Sequence, residues 1–171
     1  MFAQVNLVVQ GYVLSQYALL WAAQNEERVD KLVILPTPLA LRSKLPPTLA
    51  AYKNPVPFLR PKAGAKFQAD LWAASGLAYV MQGSDADGYQ EPYERNEFAS
   101  EVVRRSMEAL DWTALLRDVD EAFRGYRGEG LLVPAGSDPF IPDLREPFEW
   151  LETKRTNLKV GAALWATCPA R

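Results

Sequence analysis

Asn6-Leu7-Val8-Val9 and Lys31-Leu32-Val33-Ile34-Leu35 are two short β-prone apolar runs, and what lies between them decides the fold. Short continuous apolar runs bounded by turn residues read as buried strands. Gly11 marks a turn after the first run. From Leu14 to Asn25 there is no Gly or Pro, and Ala18, Leu19, Ala22 and Ala23 recur at helical spacing. Pro36-Thr37-Pro38 stops the second run. Strand, helix and parallel strand in so short a span make a βαβ unit, whose crossover is expected to be right-handed.

Working outward, composition shifts after Pro38. Prolines recur at 46, 47, 55, 57 and 61, so this stretch is expected to be bent and rich in loops. Ala65 to Ala74 reads as a helix with Phe67, Leu71 and Trp72 on one face. Asn96 to Leu110 reads as a second, with Phe98, Val102, Val103, Met107 and Leu110 on one stripe. Asp111 or Thr113 would cap a third, reaching Phe123. Leu131-Leu132-Val133-Pro134-Ala135 is a third strand, introduced by Gly128-Glu129-Gly130, and Gly136-Ser137-Asp138-Pro139 is a tight turn. Leu144 to Thr153 is a helix that accommodates Pro147 in its first turn. Asn157 to Leu164 is a fourth, weaker strand.

The resulting fold class is α/β: a mostly parallel half-sheet with helices and a helical insertion. Residues 1–37 and 128–171 are the two βαβ core parts, and residues 38–127 are the insertion with its return helix. An excursion of that length is normally a lid or a subdomain.

Bulk properties narrow the function. The 171 residues suit one sizeable core, and a formal net charge of −2 without like-charge blocks argues against a nucleic-acid partner. No apolar run is long enough for a transmembrane segment; the longest, Tyr17 to Ala23, is far too short. Met1-Phe2-Ala3-Gln4-Val5 lacks the basic lead of a signal peptide. A single cysteine, Cys168, rules out an internal disulfide and favours a reducing compartment. The chain contains no histidine. That removes the commonest general base and the commonest metal ligand. No cofactor and no metal site is expected.

The order of elements resembles the second half of an α/β-hydrolase with a helical cap. Val8-Val9-Gln10-Gly11-Tyr12 through Ala18-Leu19-Leu20-Trp21-Ala22-Ala23, then Glu27 to Leu35, is similar to that family's nucleophile strand, following helix and next strand. Pro36-Thr37-Pro38-Leu39 resembles the start of the cap in haloalkane-dehalogenase- and epoxide-hydrolase-like members, and Gly136 to Pro142 resembles the turn that carries the acid. The Val-Val-Gln-Gly strand end resembles hydrolase-like proteins of photosynthetic organisms, which implies a plastid as an alternative to the cytoplasm.

The resemblance implies three catalytic positions, and two of them, the nucleophile and the base, lack the expected residue. The family's elbow has the form G-x-nucleophile-x-G on a strained strand-to-helix turn. Counting back from Arg28-Val29 puts the nucleophile position at Tyr12, and a shift of one gives Gly11 or Val13. None of these is Ser, Cys or Asp. A phenol needs a base to activate it, and the bulk of Leu14 predicts a relaxed turn. Asp138 stands at the acid position, although a turn residue before Pro139 explains it as well. In Ala166-Thr167-Cys168-Pro169, Thr167 stands where the base would be, and nothing nearby activates the Cys168 thiol. Ser15 falls in the first helical turn, where a serine caps or packs. Asp85, Asp87, Glu91 and Glu94 lack the spacing of a calcium loop and read as solvated surface. Trp72, Tyr79, Tyr89, Tyr93 and Trp112 are candidate pocket-lining aromatics, with packing as the plainer role.

In family terms the chain starts at about the fifth strand and stops before the last helix. The strand Asn6–Val9 would then be an exposed apolar edge that invites a protein partner. The sequence therefore reads as a non-catalytic α/β-hydrolase-like protein, a binding or accessory subunit of a larger assembly. The alternative is a fragment of an active hydrolase of the epoxide-hydrolase, haloalkane-dehalogenase or esterase type.

Overall fold

A computed structural model describes residues 4–61, 83–96, 98–135, 145–154 and 157–161. Four parallel strands form one sheet in the order β1-β2-β3-β4: β1 (Val5–Val9), β2 (Val29–Ile34), β3 (Glu129–Leu132) and β4 (Asn157–Val160). The helices are α1 (Leu14–Gln24), α2 (Pro47–Ala50), α3 (Gly83–Arg95), α4 (Ala99–Ala109), α5 (Trp112–Phe123) and α6 (Arg145–Glu152). Two compact units result. Residues 4–44 and 111–161 carry the sheet with α1, α5 and α6, and residues 45–110 carry α2, α3 and α4.

The first unit follows from side-chain alternation. Leu7 and Val9, Leu32 and Ile34, Gly130 and Leu132, and Leu158 and Val160 share one face because successive strand residues point to opposite sides. Leu19 and Ala22 of α1, Val119 and Phe123 of α5, and Trp150 of α6 bury against that face in one cluster. Sequential strand order with right-handed crossovers requires all three helices to lie on the same side. Phe123 sits at the centre, with ring centroids 4.7 Å from Tyr126 and 5.3 Å from Trp150. Gly130 is glycine for lack of room: a Cβ there would lie 2.7 Å from the Leu32 carbonyl oxygen.

A buried ion pair closes this helical layer. The Lys154 ammonium, just past α6, donates to Asp120 on α5, and its side chain is fully buried. Arg124 donates to the other carboxylate oxygen at 2.8 Å. Burial would push the Asp120 carboxyl upward, but hydrogen bonds from Lys154 and Arg124 outweigh it and hold it below its ordinary value.

In the second unit, Lys53 donates to the carbonyl oxygens of Met107 and Leu110, satisfying the end of α4. Along α4, Glu101 accepts from Arg104 and Arg105. Those hydrogen bonds, Arg104 first, lower its carboxyl to about 2.

Several elements differ from the sequence reading. The third strand runs over Glu129–Leu132 rather than to Ala135, because Pro134 has no N–H for a ladder. The helix expected from Asn96 begins at Ala99; Asn96 instead accepts the Phe98 N–H at 3.0 Å. Of its stripe, Met107 and Leu110 are buried, whereas Phe98 and Val102 are exposed. The helix α3 had no clear sequence signal, since its interior Pro92 and polar surface hide it. Asp111, not Thr113, caps α5, accepting from the Ala114 N–H at 3.0 Å. Pro147 does sit in the first turn of α6. The helix expected over Ala65–Ala74 lies outside the described residues.

Candidate functional site

Ligands of open parallel sheets gather beyond the carboxyl ends of the strands. The first of those ends is the turn from β1 into α1, and it is strained. Gly11 has φ 87°, and Val13 has φ 64° and ψ −69°. The Leu14 N–H donates to the Tyr12 carbonyl oxygen at 2.8 Å. A bond from residue i+2 to residue i around such a centre is the rarer, positive-φ form of γ-turn. For a β-branched residue this conformation is a true outlier. Nothing lies within 4 Å of a Cβ built on Gly11, so its backbone angle, not crowding, calls for glycine.

The surroundings hold the turn in place. Gly11 N–H donates to the Pro36 carbonyl at 2.9 Å, and Leu35 N–H to the Val9 carbonyl at 2.9 Å, tying the turn to the end of β2. The buried Ser15 hydroxyl donates to the Gly11 carbonyl at 2.6 Å. Gln16, also buried, donates from Nε2 to the Pro38 carbonyl at 2.8 Å. The expectation of a relaxed turn is thus overturned. Leu14 has the bulk that suggested it, but its side chain is 80% exposed and meets nothing that would open the turn.

Tyr12 and Trp112 are the two expected site residues brought together, with ring centroids 6.1 Å apart. Trp112 is buried and donates from Nε1 to the Ser43 carbonyl at 2.8 Å. The Ser43 hydroxyl and the Ala40 N–H both donate to the buried Glu146 carboxylate. Thr37 is buried between Pro36 and Pro38, and among the described residues its hydroxyl has no hydrogen-bond partner. Sequence reasoning gave no site role to Thr37, Ser43 or Glu146, and Glu146 lies more than a hundred residues from Ala40 and Ser43.

Tyr89 and Tyr93 lie exposed on α3 of the second unit. Asp87, Glu91 and Glu94 are exposed on the same helix, and Glu91 pairs with Arg95. Among the described residues no three His, Cys, Asp or Glu side chains group to hold a metal ion, and no helix is long and apolar enough to cross a membrane. Asp138, Thr167, Cys168, Trp72 and Tyr79 lie outside the described residues.

A sequential parallel sheet, its helices, and a strained glycine-led turn at the end of β1 define an α/β-hydrolase-like fold, present in part. Solved structures share it. Haloalkane dehalogenase DatA from Agrobacterium tumefaciens C58 matches with a TM-score of 0.63 at 19% identity, over 94% of this chain and 58% of that chain. Cfl2 from Burkholderia cenocepacia matches at 0.64 and 20% identity, over 94% and 58%. Serine hydrolase CCSP0084 from Cycloclasticus zankles matches at 0.56 and 15% identity, over 94% and 56%. The chain therefore spans less than two-thirds of the length of these structures, and at such identities the likeness is one of fold. No protein-family model and no curated protein matches the chain.

Proposed function

We propose that this chain is a non-catalytic α/β-hydrolase-like module that acts as a binding or accessory subunit. The observation that carries the reading is the occupant of the strained turn. Val13 holds the positive-φ position, with Tyr12 before it and Leu14 after it. A hydrocarbon side chain at the apex cannot attack a carbonyl or a carbon–halogen bond. The absence of histidine from the sequence also removes the base that would activate a hydroxyl. Under this reading, residues 38–127 serve as a helical cap and Trp112 packs beside Tyr12 rather than contacting a transition state.

Assays of the whole chain with ester, epoxide and haloalkane substrates test this. No turnover is expected, and Val13→Ser should remain inactive for want of a base. Turnover that disappears in Asp138→Ala would overturn the reading.

The proposed partner is a protein that covers the outer edge of β1, where Asn6–Val9 pair with β2 on one side only among the described residues. Hydrogen exchange provides the check. In the isolated chain the outward amides of β1 should exchange as fast as loop amides, and strong protection in a monomer would defeat the partner assignment.

A second reading rests on the length of the neighbours. In it, the chain is one part of a longer hydrolase whose nucleophile and base lie elsewhere, since each neighbour extends well beyond the matched region. Extending the reading frame in both directions tests it: a histidine recovered after Ala163 and an HG-type loop upstream would favour the enzyme.

A further inference from the structure

We infer that the open face of the sheet is a contact surface for a second copy of this chain. The inference stands apart from the reading of the turn after β1. The helices α1, α5 and α6 all pack on one side of the sheet. The other side presents two cross-strand rows. Val8, Val33, Leu131 and Lys159 lie in register as one row. Asn6, Lys31, Glu129 and Asn157, two residues earlier on each strand, form the other.

The first row is apolar over three strands, yet Val8 is 60% exposed and Leu131 38%. A groove of about 810 Å³ runs over β2, β3 and β4, walled by Lys31, Val33, Glu129, Leu131 and Lys159. Parallel sheets are ordinarily covered on both faces. The crossover helices α1, α5 and α6 do not supply that second cover, because they pack on the first face.

The charge pattern selects the occupant. Lys31 on β2 and Glu129 on β3 sit at the same level of the sheet, and neither has an ion-pair partner among the described residues. A two-fold axis running along the strands between β2 and β3 lays β2 of one copy over β3 of the other. Lys31 then faces Glu129 of the second copy, and Val33 faces Leu131 of the second copy. Each contact occurs twice, as a self-complementary interface requires. Aligned sheets pack about 10 Å apart in this way. Four strands of four to six residues, spaced about 4.8 Å apart and rising about 3.3 Å per residue, make a patch of about 300 Å², well under the roughly 800 Å² per partner of standard stable interfaces. The association is therefore weak, rises with concentration, and weakens with salt.

Analytical ultracentrifugation of the whole chain over a wide concentration range tests the proposal. A reversible monomer–dimer equilibrium is expected. Lys31→Glu and Glu129→Lys should each raise the dimer dissociation constant about tenfold or more at low salt, corresponding to the loss of two charge pairs. An equimolar mixture of the two variants brings opposite charges together again and should restore association, with far-ultraviolet circular dichroism confirming that both remain folded. A chain that stays monomeric at every concentration overturns the inference. So does a dimer indifferent to both reversals, or a mixture that fails to associate. Neither result bears on the substrate assays above, so the two readings fail separately.

Discussion

The two faces of the sheet are built from the same four strands and have opposite characters. On one, Leu32, Ile34 and Leu132 are buried beneath three helices, and Asp120 and Lys154 clamp two of those helices together. On the other, Val8, Lys31, Val33 and Leu131 meet solvent or are only partly covered. The alternation of a strand cannot produce this difference by itself, since both faces carry apolar residues. Connectivity does: every crossover in a sequential parallel sheet returns on the same side. The three helices of the sheet-bearing unit thus cover one face, and Val8 and Leu131 remain exposed on the other.

Four measurements would break or sharpen that contrast. The largest effect is expected from Lys154→Ala, which leaves the Asp120 carboxylate buried without its ammonium. Breaking a buried pair from one side costs about 3–5 kcal/mol, readable as a fall in the urea midpoint. Replacing both partners, with Lys154→Met and Asp120→Leu, should cost much less because no lone charge remains.

Next, neighbouring residues on β2 separate the faces directly. Leu32→Ala removes a fully buried side chain and should cost about 2–5 kcal/mol. Val33→Ala, one residue further along on the open face, should cost under about 1 kcal/mol in the monomer. Similar losses for the two would mean that the second face is covered in solution.

The third measurement concerns the strained turn, which joins the edge strand to the covering layer. Val13→Gly relieves a positive φ on a β-branched residue. Strain of about 1–3 kcal/mol is set against about 0.5–1 kcal/mol of added unfolded-state freedom. A net gain of about 1 kcal/mol is expected in thermal or urea unfolding, and a clear loss would refute strain at that position.

The smallest expected signal is a pH dependence. The Asp120 carboxyl lies below its ordinary value in the folded chain. The unfolded state therefore binds the proton more readily, and the contribution of Asp120 is fully present above the ordinary value near 3.8. It is lost as pH falls through the lower folded value. Unfolding midpoints measured from pH 6 downward should fall less steeply in the Lys154→Met, Asp120→Leu double variant than in the unaltered chain.

Much of the covered face was legible in the sequence. The runs at Asn6–Val9 and Lys31–Leu35 announce strands, and the helical spacing of Ala18, Leu19, Ala22 and Ala23 announces the helix between them. The strained turn after β1 was legible as a turn but not as a strained one. Counting along the chain placed the elbow at Tyr12 with Gly11 and Val13 as its neighbours, but ungapped counting cannot see backbone angles. The positive φ at Val13 is a property of the folded turn. Glu146 was missed because its partners, Ala40 and Ser43, are over a hundred residues away in the sequence, and no local pattern links them.

By itself, the sequence determined that this chain has no histidine and that an α/β sheet opens it, because composition and side-chain period are local properties. Only the tertiary structure decided that the turn after β1 stays tight around a valine. It alone paired Asp120 with Lys154, and it left Val8, Val33 and Leu131 on the face that α1, α5 and α6 do not cover. These outcomes depend on which distant segments meet. The order and handedness of the crossovers settle that, since they decide which side of each strand a helix can reach.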